Sequence, residues 1–469
     1  MQRVDHPCLL HSRAMPPAVL VPVEEMLARL DRALASSPAD ETELVWIEAR
    51  RGQENNGKRR RDSFEIPERN LLVRVRESGR IGMHRTHTAG PSDLENAIRE
   101  ALAQARLAPP AGAPNPPAAA DPQPEILGLA DPEIARLGQG GRARDLLQRH
   151  AERGEIGWLG WSEGRMAVVT SRGLRRATEV TAAWLVASCG LGAGAGRAAA
   201  AARAFTDLDP AAVFERARRR HSPAGAATAE PPSTPVPLVL SPEAAAALVD
   251  LLNREALGSS TFLEGALRDR LGEPVCHPAI TLRDDGTDPR GLPFPFDFLG
   301  RAKRPIDLIE RGVLRTPAVD ERLAAAIGRP PTPHLVAPDE ALATQLFLEP
   351  GEAPDDEILR RAGGGLWVTW LDAPRSFDPA TLRFRAWLRG VRRIEGGALG
   401  APVPDLVWED HLPSLLERVL GVGRQPVTAV TAGDPLFGAT TAPMIAFEAV
   451  SVPPSPGGRG GDGRGGPGG

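Results

Sequence analysis

The stretch that decides the fold is PLVLSPEAAAALVDLLNREALGSSTFLEGALRDRLGEPV, at residues 237–275. The apolar run near its start is typical of a short buried strand. Ser241 is a preferred N-cap residue, Pro242 suits the first helical position, and Glu243 lies where the positive end of a helix dipole favours an acid. The sequence therefore predicts a strand that leads directly into a helix, and the helix is expected to end near Gly258.

Four further motifs follow this helix. They are Asp284-Asp285-Gly286-Thr287, LIERGVL at residues 308–314, Glu349-Pro350-Gly351 and GGLWV at residues 364–368. In their order and spacing these motifs resemble the C-terminal half of the TldD/PmbA family, the modulators of DNA gyrase. The active members of that family are zinc metallopeptidases, and the resemblance implies that residues 241–258 correspond to their H-E-x-x-x-H helix.

The zinc ligands of that family are missing from the corresponding positions of this chain. All nine histidines lie outside residues 241–258, and the carboxylates Glu243, Asp250 and Glu255 do not replace two imidazole ligands. The resemblance also implies a cysteine ligand near the C-terminus, but no cysteine follows Cys276. We therefore expect no metal ion and no cofactor in this chain, and a zinc ion in a catalytic partner.

The N-terminal half is predicted to be an antiparallel sheet with flanking helices. Apolar residues recur at helical spacing over residues 23–34, and Ser92 to Glu95 form a capping box that predicts a second helix. Strands are predicted at residues 44–50, 62–66, 71–77 and 81–87, with a turn at Ser78-Gly79 between the last two. This strand-turn-strand-helix run also resembles the N-terminal domain of the TldD/PmbA family, so the predicted fold class is α+β.

The C-terminal part is predicted to be dominated by strands, with few helices. Strands are predicted at residues 279–283, 306–309, 343–348, 366–371, 384–389, 391–394 and 443–450. Composition suggests a flexible N-terminus at 1–21, an N-terminal domain at 22–221 with a Pro/Ala-rich connector at 108–124, a linker at 222–235, a C-terminal domain at 236–452 and a disordered Gly-rich tail at 453–469.

Charge and cysteine content limit the classes of function. A formal charge of -4, with 42% hydrophobic and 25% charged residues, is typical of a globular chain and not of a dedicated nucleic-acid binder. Cys8, Cys189 and Cys276 have no CxxC spacing, which favours a reducing compartment. Charged residues interrupt every apolar stretch of membrane-spanning length. We therefore expect a cytoplasmic protein with no membrane contact and no direct nucleic-acid binding.

Three other motifs suggest competing functions. Residues 160–164 (GWSEG) have the G-x-S-x-G pattern of a serine-hydrolase elbow, but a second strand is predicted after them, so Ser162 is placed at a hairpin bend. The glycine-rich run at 190–196 lacks G-x-G-x-x-G spacing and is interpreted as a bend, not a phosphate loop. The arginines at 59–61 and 218–220 are interpreted as solvated ends and not as nucleic-acid patches.

The sharpest local match is Asp284-Asp285-Gly286-Thr287. Aspartate side chains accept nearby backbone N–H groups and glycine readily takes a positive φ, so these residues are predicted to form a turn. We interpret them as a structural corner, or as part of a peptide groove, close to the position of the missing metal ion.

The resemblance implies the role of a TldE-like (PmbA-like) subunit. Such a chain pairs with a TldD-like catalytic subunit, and the expected complex is a heterodimeric zinc metallopeptidase that trims unfolded or leader peptides. The peptide substrate is expected to add as a strand to an exposed sheet edge. Two alternatives stay open: a self-sufficient hydrolase that uses Ser162 or an unrecognised metal set, and a homodimeric binding or scaffolding protein.

Overall fold

A computed structural model describes residues 20–57, 64–110, 122–222, 225–337, 339–431 and 435–452. The predicted tail at 453–469 and the arginines at 59–61 lie outside the described residues. So do most of the predicted N-terminus at 1–21 and most of the connector at 108–124.

The secondary structure of the described residues is rich in strands. The helices are α1 (Val23–Ala35), α2 (Pro91–Leu107), α3 (Pro132–Ala135), α4 (Arg142–His150), α5 (Pro210–Arg220), α6 (Pro242–Leu252), α7 (Ser259–Glu264), α8 (Glu321–Ile327), α9 (Asp355–Arg361) and α10 (Leu412–Glu417). The N-terminal strands are β1 (Glu41–Asn55), β2 (Phe64–Glu77), β3 (Arg80–Thr86), β4 (Glu155–Thr170), β5 (Arg175–Cys189) and β6 (Gly196–Ala202). The C-terminal strands are β7 (Val236–Leu240), β8 (Leu282–Asp284), β9 (Ile306–Glu310), β10 (Val313–Leu314), β11 (Leu335–Ala337), β12 (Glu340–Ala341), β13 (Gln345–Leu348), β14 (Leu366–Asp378), β15 (Arg383–Glu395), β16 (Ala398–Pro402), β17 (Leu406–His411), β18 (Val419–Val422), β19 (Val427–Ala429), β20 (Ala439–Ala442) and β21 (Ile445–Val450). Of the helices in the described ranges, none combines the length and the apolar character needed to cross a membrane.

The N-terminal sheet is antiparallel throughout, in the order β3-β2-β1-β4-β5-β6, which confirms the predicted fold class. The separate strands predicted at 62–66 and 71–77 are wrong, because β2 is one strand that pairs with β1 from Phe64 onward. Pro67 does not break it, because β3 covers the other side of β2 only from Leu71 onward. Pro67 thus lies in an edge segment, where a sheet tolerates proline.

Helices α1 and α2 pack against one face of this sheet. The predicted apolar face of α2 is buried, at Leu94, Ala97, Ile98, Ala101, Leu102 and Ala105. The predicted capping box is wrong: α2 begins at Pro91, whose fixed φ suits the first helical turn, and the backbone N–H of Gly90 donates to Asp93 Oδ2 at 3.0 Å. The predicted hairpin turn is confirmed, with φ of 49° at Ser78 and 74° at Gly79.

The C-terminal half contains a seven-stranded sheet and a six-stranded sheet. Strand β7 lies inside the seven-stranded sheet, parallel to β14 and antiparallel to β21, which is why its run of Leu238 to Leu240 is apolar and fully buried. Ser241 caps α6 as predicted, since its Oγ accepts the backbone N–H of Ala244 at 3.1 Å and donates to the carbonyl of Thr369 at 2.7 Å. A π-helical turn, Asn253–Leu257, then extends the helix to Gly258.

The structure also tests the two strands predicted at 384–394 and the bend predicted at the glycine-rich run. The strands predicted at 384–389 and 391–394 are one strand, β15, which continues through Gly390 despite its φ of 60°. The glycine-rich run is a bend as expected, since Gly190, Gly192 and Gly194 have φ of 73–74°. The alanine run that follows it is strand β6.

A buried ion pair joins the two halves of the chain. Arg220, the last residue of α5, donates from Nη1 to Glu243 Oε2 at 2.8 Å, and Glu243 Oε1 accepts the backbone N–H of Ala199 at 3.0 Å. The interpretation of residues 218–220 as a solvated end is therefore wrong for Arg220. Arg218 is also paired, with Glu155 at 2.8 Å. The basic end of α5 contacts a carboxylate of α6, and the sequence of α5 alone does not reveal this contact.

Candidate functional site

One cavity lies within the C-terminal half, and a second lies between that half and the N-terminal sheet. The first, of about 320 Å³, is lined by residues of α6, β13 and β20, and we call it the helix cavity. The second, of about 290 Å³, is lined by residues of β1 and β2, and we call it the sheet cavity. Phe298, Val336 and Phe437 line both cavities and are only half buried. The two cavities and these three shared side chains form one cleft.

Helix α6 and its π-helical turn contribute an ion pair to the helix cavity. Asp250 and Arg254 are four residues apart, so their side chains lie on the same helix face, and both line the cavity. The Nε of Arg254 donates to Asp250 Oδ2 at 2.9 Å. Burial raises the pKa of the Asp250 carboxyl, while the Arg254 guanidinium and the Thr431 hydroxyl oppose that rise.

The side chains of this cavity do not fit a zinc site. Zinc needs nitrogen, sulfur or carboxylate ligands in tetrahedral geometry, whereas Asp250 is occupied by an ion pair and Arg254 carries a guanidinium that does not coordinate metals. Cys276 does not line this cavity, and burial raises the pKa of its thiol to about 12, which disfavours the thiolate that zinc requires. Within the described residues, no group of three or more His, Cys, Asp or Glu side chains is placed to hold a metal ion.

A buried polar network lies behind one wall of the helix cavity. Thr344 lines the cavity, and its Oγ1 is 3.3 Å from the Nζ of Lys303. The same ammonium donates to Asp284 Oδ2 at 3.3 Å, and the Nε2 of His334 lies 3.1 Å from that oxygen. A residue on the cavity wall is therefore connected to three buried polar side chains.

The charges of this network balance. Burial alone would raise the pKa of the Asp284 carboxyl, but the Lys303 ammonium and the hydrogen-bonded His334 ring hold that pKa well below its usual range. Burial lowers the pKa of His334, so the ring is neutral. Its Nε2–H then donates to Asp284, and its Nδ1 accepts the hydroxyl of Thr332 at 2.7 Å. The network thus holds one cation and one anion in direct contact.

The four residues singled out in the sequence form the corner that holds this network. Asp284, at the end of β8, accepts the backbone N–H groups of Thr344 and Gln345 at 2.8 and 2.7 Å, which fixes the start of β13. Asp285 Oδ1 accepts both the backbone N–H and the hydroxyl of Thr287, at 2.9 and 2.6 Å. The corner lies behind the cavity wall that Thr344 forms.

The reason expected for the glycine of this corner is wrong. The φ of Gly286 does not lie in the left-handed region that favours glycine. A Cβ at this position would instead lie 2.7 Å from the side chain of Lys303 and 2.8 Å from the carbonyl oxygen of Phe294. Gly286 is therefore needed for the close approach of these two neighbours and not for a turn conformation.

Two buried side chains hold the loops that carry the shared walls of the cleft. The Arg203 guanidinium donates to five backbone carbonyls, those of Thr181, Leu292, Pro293, Pro435 and Leu436. The amide of Gln345 accepts the backbone N–H of Leu292 at 3.0 Å and donates to the carbonyls of Leu292 and Phe437. These bonds position the loops on which Phe298 and Phe437 lie.

Several of these residues were not identified from the sequence. Lys303 carried the clearest signal, because it is one of only two lysines in a chain with 56 basic residues. A lysine in a chain whose basic residues are nearly all arginines indicates a position that needs a compact ammonium group. In the sequence His334 is one histidine among nine, and Arg203 and Gln345 lie in stretches with no recognisable motif.

The G-x-S-x-G motif does not form a nucleophile elbow. Ser162 lies in the middle of β4, fully buried and paired with β1 and β5, so its placement at a hairpin bend is also wrong. Both glycines of the motif are explained by packing. A Cβ at Gly160 would lie within 2.1 Å of the Trp184 ring, and one at Gly164 within 2.7 Å of Leu436. An elbow instead exposes its serine on a strand-to-helix turn.

Comparison with known proteins identifies the domain in the C-terminal half. Residues 233–453 match the family described as the PmbA/TldA metallopeptidase C-terminal domain. This stretch contains β7, α6 and the corner at Asp284, the features that carry the resemblance seen in the sequence. The C-terminal half of the chain thus carries a domain of the PmbA/TldD family, which confirms the predicted resemblance over that part of the chain.

Three solved structures share the fold over nearly the whole chain. A modulator of a DNA gyrase from Thermotoga maritima MSB8 superposes with a TM-score of 0.77 at 19% identity and covers 91% of this chain and 100% of its own. TldE from Thermococcus kodakarensis gives 0.74 at 20% identity, covering 92% and 99%. A modulator of DNA gyrase from Bacteroides thetaiotaomicron VPI-5482 gives 0.71 at 19% identity, covering 91% and 98%. At these identities the likeness shows the fold.

One protein of similar sequence is named a metalloprotease. A metalloprotease from Methanothermobacter thermautotrophicus (strain Delta H) is 25% identical over 203 residues. The match covers 41% of this chain and 44% of that protein, so this chain matches less than half of the length of that relative.

Proposed function

We propose that this chain is a non-catalytic, TldE-like subunit of a heterodimeric zinc metallopeptidase that trims unfolded or leader peptides in the cytoplasm. The observation that carries the proposal is the face of α6 that lines the helix cavity. In catalytic members the corresponding helix bears H-E-x-x-x-H, whereas here the cavity receives the Asp250–Arg254 ion pair. A TldD-like partner would supply the zinc ion and the water that it activates.

In that complex, this chain would bind and orient the peptide. The cavities, of about 320 and 290 Å³, fall at the small end of the range of ligand sites, and each combines apolar walls with a few polar groups. Phe298 and Phe437 offer partly exposed rings between them, which suit the apolar side chains that an unfolded peptide displays.

Co-purification from the native host tests the pairing. With an affinity tag on this chain, we expect a second chain that contains H-E-x-x-x-H to be recovered in equal amount, and zinc in a one-to-one ratio with that second chain. The separately purified chain should contain no zinc and should not cleave unfolded casein. Stoichiometric zinc in the isolated chain with chelator-sensitive cleavage would refute the proposal, and recovery of a homodimer alone would favour a scaffolding role.

One variant and its control test whether this chain binds the peptide. In the reconstituted complex, Phe437→Ala should raise the KM for a peptide several-fold and leave kcat and zinc content unchanged, because the ring contacts the peptide away from the metal. Leu127→Ala is the control, since Leu127 is 85% exposed and lines neither of the two cavities that form the cleft. Equal KM values for the two variants would contradict peptide binding in the cleft.

A further inference from the structure

The two ends of the cleft carry opposite surpluses of charge. Of the described residues that line the helix cavity, Asp250 and Glu340 are acidic and Arg254 is basic, so one negative charge is in excess. Glu340 is exposed on β12 at the rim. The buried pair of Lys303 and Asp284 behind the wall adds no net charge.

The sheet cavity has the reverse balance. Among the described residues that line it, Arg51 and Arg85 are accompanied by one acid, Glu68, so one positive charge is in excess. The Nη1 of Arg51 is 2.6 Å from Glu68 Oε1, whereas Arg85 donates to the neutral amide oxygen of Asn70 at 2.7 Å. Arg85 is exposed, which leaves its charge available to a ligand in the cavity.

The partition between the two ends is apolar. Phe298, Val336 and Phe437 line both cavities, and each is half buried. A ligand that reaches from one end to the other must cross these three side chains. The complete cleft is thus acidic at one end, apolar in the middle and basic at the other end.

We infer that the cleft binds a peptide in one direction only, with its cationic N-terminal end in the helix cavity and its anionic C-terminal end in the sheet cavity. The inference rests on the proposed function for the presence of a peptide and adds its direction and class. A peptide chain has a positive amino terminus and a negative carboxyl terminus, so the reverse direction would place like charges together at both ends. The preferred substrates carry basic residues before an apolar stretch and acidic residues after it.

Two synthetic peptides of the same composition test this direction. The first has eight residues, with two arginines at a free amino end, four apolar residues in the middle and two aspartates at a free carboxyl end. The second has the reverse sequence and also keeps both ends free, so the two peptides carry the same number of charges. By fluorescence anisotropy with the full chain, we expect the first to bind about fivefold to tenfold more tightly in low salt, and the ratio to shrink in about 0.5 M salt.

Charge variants at the two ends make the test specific. Glu340→Gln and Arg85→Gln should each weaken binding of the first peptide about threefold, because each removes one exposed charge contact. The matched controls are Glu95→Gln and Arg106→Gln, exposed positions on α2 that line neither the helix cavity nor the sheet cavity. The double variant Glu340→Arg with Arg85→Glu should prefer the reversed peptide.

The possible outcomes separate this inference from the proposed function. Equal binding of both peptides by the unmodified chain would overturn the direction and leave peptide binding in place. An unchanged preference in the double charge-reversal variant would do the same, because it would assign the preference to charges outside the cleft. If neither peptide bound at millimolar concentration, the inference and the peptide-binding share of the proposed function would both fall, while co-purification would still test the pairing.

Discussion

Replacing Arg203 by methionine should weaken the junction between the two halves of the chain. Arg203 follows β6 and is only 5% exposed, and four of the five carbonyls that its guanidinium binds belong to the C-terminal half. Methionine has a side chain of similar length and fills much of the same space, but it donates no hydrogen bond. The substitution therefore removes donors from buried acceptors without opening a large cavity.

The size of the effect follows from the lengths of these bonds. Three are short, to Leu436 at 2.6 Å and to Leu292 and Thr181 at 2.9 Å each, and those to Pro293 and Pro435 are 3.1 and 3.4 Å. A buried carbonyl left without a donor costs about 1–3 kcal/mol. Counting the three short bonds near the lower end of that range, we expect the free energy of unfolding to fall by about 3–5 kcal/mol.

Urea unfolding followed by tryptophan fluorescence measures this loss. Arg203→Lys should lose less, because an ammonium keeps the charge but offers three donors in place of five. Arg106→Met, at an exposed position in the last turn of α2, is the control and should change stability by less than about 0.5 kcal/mol. A loss below about 1 kcal/mol for Arg203→Met would show that these carbonyls find other donors and would refute the role assigned to Arg203.

Three further predictions concern buried polar groups and one glycine. The pKa of His334 lies below its ordinary value of 6.5, so its stabilising contribution is complete above that value and is lost as the pH falls through it, with a slope of up to about 1.4 kcal/mol per pH unit. His334→Gln should flatten the stability profile below about pH 6.5, and an unchanged profile would contradict the neutral ring. The lowered pKa of Asp284 adds a further loss of stability only below its ordinary value of 3.8. Gly286→Ala should cost about 1–3 kcal/mol in urea unfolding, because its Cβ would press on Lys303. Ser162→Ala should leave any peptidase activity of the complex unchanged and keep or slightly raise the melting temperature, because the buried Ser162 hydroxyl has no hydrogen-bond partner in the part of the chain that the structure describes.

Local patterns in the sequence were sufficient to predict elements whose structure depends on near neighbours. The cap at Ser241, the proline after it and the apolar period of α2 act within a few residues, and each is found as expected. Errors occurred where tertiary pairing overrides local signals. Pro67 and Gly390 suggested strand breaks, but pairing with neighbouring strands carries β2 and β15 through both positions.

Most of the candidate site could not be predicted, because its partners are far apart in the chain. His334 and Asp284 are separated by 50 residues, and Arg203 and Leu436 by 233. No periodicity or motif links such pairs, and only the fold brings them together. The Asp284 corner was found because aspartate and glycine have strong local preferences, yet those preferences gave the wrong reason for Gly286.

Helix α6 explains why a chain without zinc ligands would keep the helix that bears them in catalytic relatives. Its alanines at 244–246 are fully buried, where the helix packs between the two C-terminal sheets, so small side chains are needed there whether or not a metal is bound. Glu243 at its start holds Arg220 of the N-terminal half, and Asp250, about 10 Å further along at 1.5 Å per residue, lies in the helix cavity. The helix thus connects the junction of the two halves to the cleft, and both contacts form without a histidine on the helix.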